Sequence, residues 1–88
     1  MSLKKKKILI IIGGGISAYK ALDLIRILKK NSAIIKVILT KSGKEFITPL
    51  SLTALTGNKI FEDIFDKNNE AEIDHIALSR WSDLVIVI

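Results

Sequence analysis

Cysteine is absent from the 88-residue sequence, and this absence excludes several kinds of chemistry. The chain can form no disulfide and offers neither a thiolate ligand for a metal ion nor a thiol nucleophile. We therefore expect a cytoplasmic protein. Long apolar runs are also lacking, because no stretch approaches the ~18 apolar residues that cross a membrane. We expect no membrane span.

Aromatic residues are scarce, at 6% of the chain, and none lies in its most basic segment. The formal net charge is +5, and Lys4–Lys7 contribute four of these charges. Surfaces that bind nucleic acids combine positive charge with aromatic side chains that stack on bases. A lysine run before an apolar strand is instead typical of a solvated segment. We expect one small domain over residues 1–88 and no nucleic-acid partner.

The sequence does contain an apolar run, Lys7–Ile12, that ends at three consecutive glycines and is followed by a helical pattern. Glycines without a Cβ let backbone N–H groups approach a bound anion, and a helix N-terminus adds partial positive charge. The spacing Gly13-x-Gly15-x-x-Ala18 fits the nucleotide-binding fingerprint of a βαβ unit. The same glycines also suit a turn that only lets helix and strand pack, and these residues alone leave both interpretations open.

Apolar β-branched runs alternate with helical patterns along the rest of the chain, which predicts an α/β fold with a doubly wound parallel sheet. A final run, Leu84–Ile88, is predicted to be a buried strand on the far side of the first strand. A helix is predicted over Ile16–Lys30, a strand over Ile34–Leu39 and a capping box at Ser42 and Glu45. A second helix is predicted with Thr48 as its N-cap, Pro49 at its first position and Gly57 as its stop. Residues 59–65 are predicted to form a short strand or an irregular connection, and 73–83 one or two helical turns.

Polar residues follow the second predicted strand, where Thr40-Lys41-Ser42 stands. A dinucleotide-binding domain would place an acidic residue here to hold the ribose hydroxyls. Two hydroxyls and an amine suit a terminal phosphate better, which favours FMN over NAD. Thr40 and Ser42 could also serve only as helix caps. His75 is the single histidine and lies in a predicted turn, where most histidines have no catalytic role.

Three segments read together resemble one specific family. Gly13–Lys20, Thr40–Leu50 and His75–Leu84 are similar, in order and spacing, to the N-terminal half of phosphopantothenoylcysteine decarboxylase. This is the flavoprotein part of the bifunctional coenzyme A biosynthesis enzyme. The His-x-x-Leu-x-x-Trp-x-Asp segment is more specific to this family than the glycine turn. It favours a catalytic role for His75 more strongly than its residue type and position alone do.

The resemblance implies a flavodoxin-like (Rossmann-like) fold that assembles as trimers or larger, with FMN at a subunit boundary. It implies oxidative decarboxylation of 4'-phospho-N-pantothenoylcysteine to 4'-phosphopantetheine. The implied site residues are Gly14, Gly15, Ile16 and Ser17 at the flavin, Thr40 and Ser42 at its phosphate, and His75 as the active-site histidine.

The family follows its last matched strand with a Pro-Ala-Thr-Ala-Asn type motif and later with a cysteine-bearing substrate flap. Neither is present in these 88 residues. We therefore expect a flavoprotein domain truncated after about half of the fold. The expected partner is a second copy of the chain, in a homo-oligomer, or a complementing C-terminal fragment. The alternative is a non-catalytic remnant that binds a flavin or nucleotide without turnover.

Overall fold

Within the described residues, four parallel strands form a single sheet. The computed structural model describes residues 4–15, 17–62 and 70–88, and for residues 70–75 it describes the backbone alone. The strands are β1 (Lys7–Ile12), β2 (Ile34–Leu39), β3 (Phe61–Glu62) and β4 (Leu84–Val87). Their order across the sheet is β3-β2-β1-β4, and every neighbouring pair is parallel. The bounds predicted for the first two strands are confirmed.

Helices cover both faces of this sheet. They are α1 (Ala18–Lys30), α2 (Pro49–Thr56) and α3 (Glu70–Trp81), and a 3₁₀ turn spans Gly43–Glu45. One core cluster joins the sheet to α1 and α2, and a second joins its other face to α3 through Leu78. Since parallel strands need crossover connections, each helix returns the chain to the start of the next strand.

Alternate residues of β1 face the two cores. Ile8, Ile10 and Ile12 belong to the cluster with α1 and α2, whereas Leu9 lies in the cluster with α3. All four side chains are almost completely buried. Burial on both faces explains why the strand is a continuous apolar run rather than an alternation of apolar and polar residues.

The predicted fold class is confirmed as an α/β, doubly wound parallel sheet of the flavodoxin-like (Rossmann-like) type. Chain order reverses between β1 and β4, because β2 and β3 lie on one side of β1 and β4 on the other. Within this class the order 3-2-1-4 is that of the Rossmann arrangement. Such reversals create a crevice at the carboxyl ends of the strands, where ligands bind.

The last strand occupies the predicted position beside β1, but the prediction that it is buried is wrong. The side chains of Leu84, Val85 and Val87 are 51%, 40% and 73% exposed. β4 lies at the edge of the sheet, and among the described residues no strand pairs with its outer side. Composition alone predicted burial, whereas exposure depends on whether neighbouring elements cover the strand.

The predicted caps of α2 are confirmed. The Thr48 hydroxyl accepts a hydrogen bond from the Ser51 N–H at 3.1 Å, and Pro49 occupies the first helical position. Gly57 ends the helix with φ +72°, a conformation that glycine adopts without strain. The predicted capping box at Ser42 is wrong, since its side chain makes no capping hydrogen bond.

The third helix is longer than predicted. One or two turns were expected over 73–83, but α3 has 12 residues and begins at Glu70. Glu70, Ala71 and Glu72 have high helix propensity, which allows the helix to begin before the apolar pattern that marked it. No described helix has the length and apolar composition needed to cross a bilayer.

Candidate functional site at the carboxyl edge of the sheet

Three chain segments meet at the carboxyl edge of the central strands. The Gly13 N–H donates to the Ile88 carbonyl oxygen at 2.9 Å, which ties the glycine turn to the end of β4. The Thr40 N–H donates to the Ile12 carbonyl oxygen at 3.0 Å, which ties the end of β2 to the same turn. The predicted glycine turn (13–15) and the polar loop over 40–43, called the hydroxyl loop below, are therefore neighbours at the point where chain order reverses.

Gly14 and Ser42 are packed against each other. A Cβ built on Gly14 would lie 2.7 Å from the Ser42 Cβ, a separation that real carbon contacts essentially never show. Gly14 has no positive φ, so the glycine is required here by contact with a neighbouring loop and not by backbone conformation. This approach brings two of the predicted cofactor-binding residues together.

Gly15 and Ser17 lead into the first helix. Gly15 has φ +127°, where L side chains are strained, and the nearest atom to its built Cβ is 3.9 Å away. Among the described residues, no protein acceptor receives a hydrogen bond from the N–H of Gly14 or Gly15. Ser17 is exposed at the start of α1, and its hydroxyl makes no capping hydrogen bond. The turn thus presents unpaired donors beside a helix N-terminus.

Thr40 holds the start of the 3₁₀ turn. Its half-buried hydroxyl accepts a hydrogen bond from the Gly43 N–H at 3.1 Å, which is the capping role that the sequence allowed for both Thr40 and Ser42. An hydroxyl that accepts one bond still has a proton to donate. The Thr40 hydroxyl therefore remains a donor to a ligand while it fixes the loop.

Gly43 is a site residue that sequence reasoning did not single out. A Cβ at this position would lie 2.7 Å from the Ile12 carbonyl oxygen and 2.8 Å from the Leu39 Cδ1. Gly43 therefore lets the hydroxyl loop lie against the ends of β1 and β2. The sequence signal for this role was a glycine directly after Thr40-Lys41-Ser42, but that segment was interpreted as a capping box.

His75 lies within α3, in the segment that was predicted to form helical turns. Its side chain and the whole of Ile16 are outside the described residues, so their predicted roles remain predictions. Two other residues of the same motif have structural partners. The Lys36 Nζ lies 4.4 Å from the centre of the Trp81 ring, and the Asp83 carboxylate accepts a hydrogen bond from the Lys7 N–H at 2.9 Å.

The fold is an α/β domain with a glycine turn after its first strand, the arrangement in which nucleotide-binding domains of this class hold a phosphate. The chain belongs to the Flavoprotein family, whose model matches residues 1–88. A relative from Vibrio vulnificus, "Coenzyme A biosynthesis bifunctional protein CoaBC", is 45% identical over 86 residues, which is 98% of this chain and 21% of that protein. The relative of the same name from Escherichia coli (strain K12) is 45% identical over 87 residues. The matched part is the N-terminal region of these proteins.

Solved structures share the fold. "MrsD from Bacillus sp. HIL-Y85/54728" superposes with a TM-score of 0.79 at 24% identity, covering 98% of this chain and 48% of that one. The FMN-dependent cysteine decarboxylase SpaF gives a TM-score of 0.74 at 19% identity, covering all of this chain and 50% of that one. This chain therefore spans about a fifth of the CoaBC proteins and about half of these structures.

The residues at the carboxyl edge fit the phosphorylated end of a flavin. Neither 13–18 nor 39–43 contains an acidic residue that would repel a phosphate. The two segments supply hydroxyls and unpaired N–H groups, and the close approach at Gly14 leaves no Cβ between them. A group of three or more potential metal ligands is absent from the part of the chain that the structure describes. Family membership and this fit indicate a flavin cofactor.

Proposed function

We propose that this chain is the FMN-binding part of an FMN-dependent phosphopantothenoylcysteine decarboxylase. The reaction is oxidative decarboxylation of 4'-phospho-N-pantothenoylcysteine to 4'-phosphopantetheine in coenzyme A biosynthesis. Identity of 45% to the N-terminal region of two CoaBC proteins supports the assignment. The observation that carries it is the contact between Gly14 and Ser42, because it brings the hydroxyl loop and the glycine turn together at the carboxyl edge of the sheet.

The chain's own groups would hold the phosphate of FMN by hydrogen bonds. Thr40 and Ser42 would donate their hydroxyl protons, and Gly14, Gly15 and Ile16 would donate backbone N–H groups. Ser17 would add a hydroxyl at the start of α1, where the helix dipole favours negative charge. The absence of an acidic residue after β2 removes the group that would select a ribose diol, and this supports FMN over NAD.

The chemistry that FMN supplies when bound is reversible two-electron oxidation, which matches a reaction that begins and ends at the oxidation level of a thiol. His75 would hold or move a proton at the reacting end of the substrate. Its place in the first half of α3 supports this role, since α3 begins on the side of the sheet where the parallel strands end. We also propose that the protein acts as a homo-oligomer, consistent with the exposed apolar side chains of β4.

A chimera tests this function in a complete enzyme. The chain replaces the 87 matching residues of the Escherichia coli relative, and CO₂ release from 4'-phospho-N-pantothenoylcysteine is measured. We expect the chimera to retain flavin and to release CO₂. His75→Asn should abolish CO₂ release and leave the flavin absorbance of the purified protein unchanged.

Asn58→Asp provides a control at the other end of β2, where Asn58 Nδ2 donates to the Ile35 carbonyl oxygen away from the glycine turn. This variant should lower stability while flavin-loaded protein still releases CO₂. A chimera that carries flavin but releases no CO₂ would contradict the proposed reaction. A His75→Asn variant with wild-type turnover would contradict the role of that residue.

A further inference from the structure

Two aromatic rings are in contact beside the carboxyl-edge site, one following the glycine turn and one following the hydroxyl loop. Tyr19, in the first turn of α1, and Phe46, which follows the 3₁₀ turn, have ring centroids 6.0 Å apart at an interplanar angle of 81°. This is the edge-to-face arrangement that aromatic pairs favour. Each ring belongs to one of the two segments that form the carboxyl-edge site.

Hydrogen bonds do not hold these segments at a fixed separation. No hydrogen bond joins the described residues of 13–20 to those of 41–47. Their backbone link lies deeper, where Thr40 donates to Ile12. They also meet where Gly14 approaches Ser42 and in the core cluster that contains Ala18 and Ile47. The approach of Gly14 to Ser42 sets how close the segments can come, but it does not prevent them from separating.

The two rings are anchored unequally. Phe46 is half-buried and packs against the main core cluster, and its N–H donates to the Gly43 carbonyl oxygen at 3.0 Å. Tyr19 is 52% exposed and lies in the first turn of α1. The Phe46 ring is therefore held by the core, and Tyr19 packs against it from the start of α1, where Ala18 is buried in the same cluster.

We propose that Tyr19 and Phe46 are positioning residues for phosphate binding. The ring pair holds the start of α1 and the Ser42 loop at the separation at which both donate to one phosphate. The inference rests on the proposed function, because it concerns how FMN is held. It assigns a role to two residues that neither touch the phosphate nor belong to the glycine turn.

The test compares FMN with riboflavin, which lacks the phosphate. Affinities of both ligands for the 88-residue chain are measured by flavin fluorescence for wild type, Tyr19→Leu, Phe46→Leu and the double variant. We expect each single substitution to weaken FMN binding by about 2- to 10-fold, the range for loss of an aromatic pair. Riboflavin affinity should change little, so the preference for FMN falls. The double variant should bind FMN no more weakly than the single variant with the lower FMN affinity.

Two controls separate positioning from stability. Tyr19→Phe keeps the ring and should keep the wild-type preference for FMN. Ile27→Ala removes an apolar side chain that is 58% exposed on the same helix and should also leave the preference unchanged. Thermal melting of each apo variant records its stability, and the exposure of Tyr19 makes its leucine variant compatible with folding.

Two results would overturn the inference in distinguishable ways. If wild type prefers FMN and the leucine variants keep that preference while melting at lower temperature, the rings only stabilise the fold. If wild type binds FMN no better than riboflavin, the proposed phosphate site fails, and the positioning role fails with it.

Discussion

Gly14→Ala should separate the two halves of the proposed phosphate site. The added Cβ would lie 2.7 Å from the Ser42 Cβ, whereas non-bonded carbons pack at about 3.5–4.0 Å. The loop must therefore move by about 1 Å, and hydrogen bonds survive only between about 2.7 and 3.2 Å. Loss of one bond to a charged group costs about 1.5–3 kcal/mol, so FMN should bind roughly 10- to 150-fold more weakly.

A second substitution tests whether the contact with Ser42 is the cause. Ser42→Gly removes the opposing Cβ and leaves the Ser42 backbone carbon and oxygen 3.4 Å from the built Cβ. We expect Gly14→Ala with Ser42→Gly to bind FMN as well as Ser42→Gly alone, measured by fluorescence titration. Riboflavin affinity should stay nearly constant throughout. Additive losses in the double variant, or wild-type FMN affinity in Gly14→Ala, would refute the reasoning.

Three further predictions follow from other features of the described residues. Gly15→Val should abolish FMN binding, because φ is +127° there, and a fluorescence titration with unchanged affinity would contradict it. Thr48→Ala should lower the free energy of unfolding in urea by about 1 kcal/mol through loss of the cap on the Ser51 N–H, whereas Thr48→Ser should not; equal losses would exclude the cap as the cause. Val87→Lys should reduce concentration-dependent association in light scattering, since this 73% exposed side chain lies on an edge strand, and a monomeric wild type would show that the edge recruits no second chain.

Local signals determined which elements the sequence could predict. The runs Lys7–Ile12 and Ile34–Leu39 consist almost entirely of β-branched and other apolar residues, and their limits match the strands. The caps of α2 were predictable because Thr48 and Gly57 act within one turn of their own helix. Propensity and capping chemistry are properties of neighbouring residues and need no knowledge of the fold.

Features that depend on distant segments were not predictable in the same way. Thr40 caps the 3₁₀ turn in place of Ser42 because pairing with Ile12 fixes Thr40 at the end of β2, within reach of Gly43. The contact between Gly14 and Ser42 follows from the β1–β2 register, which no local pattern reveals. Exposure of β4 depends likewise on what covers it.

In the candidate site, too, local signals were predictable from the sequence and contacts between distant segments were not. The glycine turn predicted an anion site, and the hydroxyls after β2 predicted a phosphate, but only the fold shows that the two are in contact. Resemblance to a family supplied His75, which residue type and position could not have singled out. Tyr19 and Phe46 gave no signal, because two aromatic residues 27 positions apart form a pair only after α1 has packed beside the hydroxyl loop.

Titration of the chain with FMN, riboflavin and NAD tests the central claim most directly. The claim is that the glycine turn and the hydroxyl loop together bind the phosphate of a mononucleotide. Flavin fluorescence, with NAD added as a competitor, gives the three affinities under one condition. We predict that FMN binds at least about 10-fold more tightly than riboflavin, the contribution of one hydrogen bond to a charged group, and that NAD does not compete. Equal affinity for FMN and riboflavin, or displacement of FMN by NAD, would contradict the account.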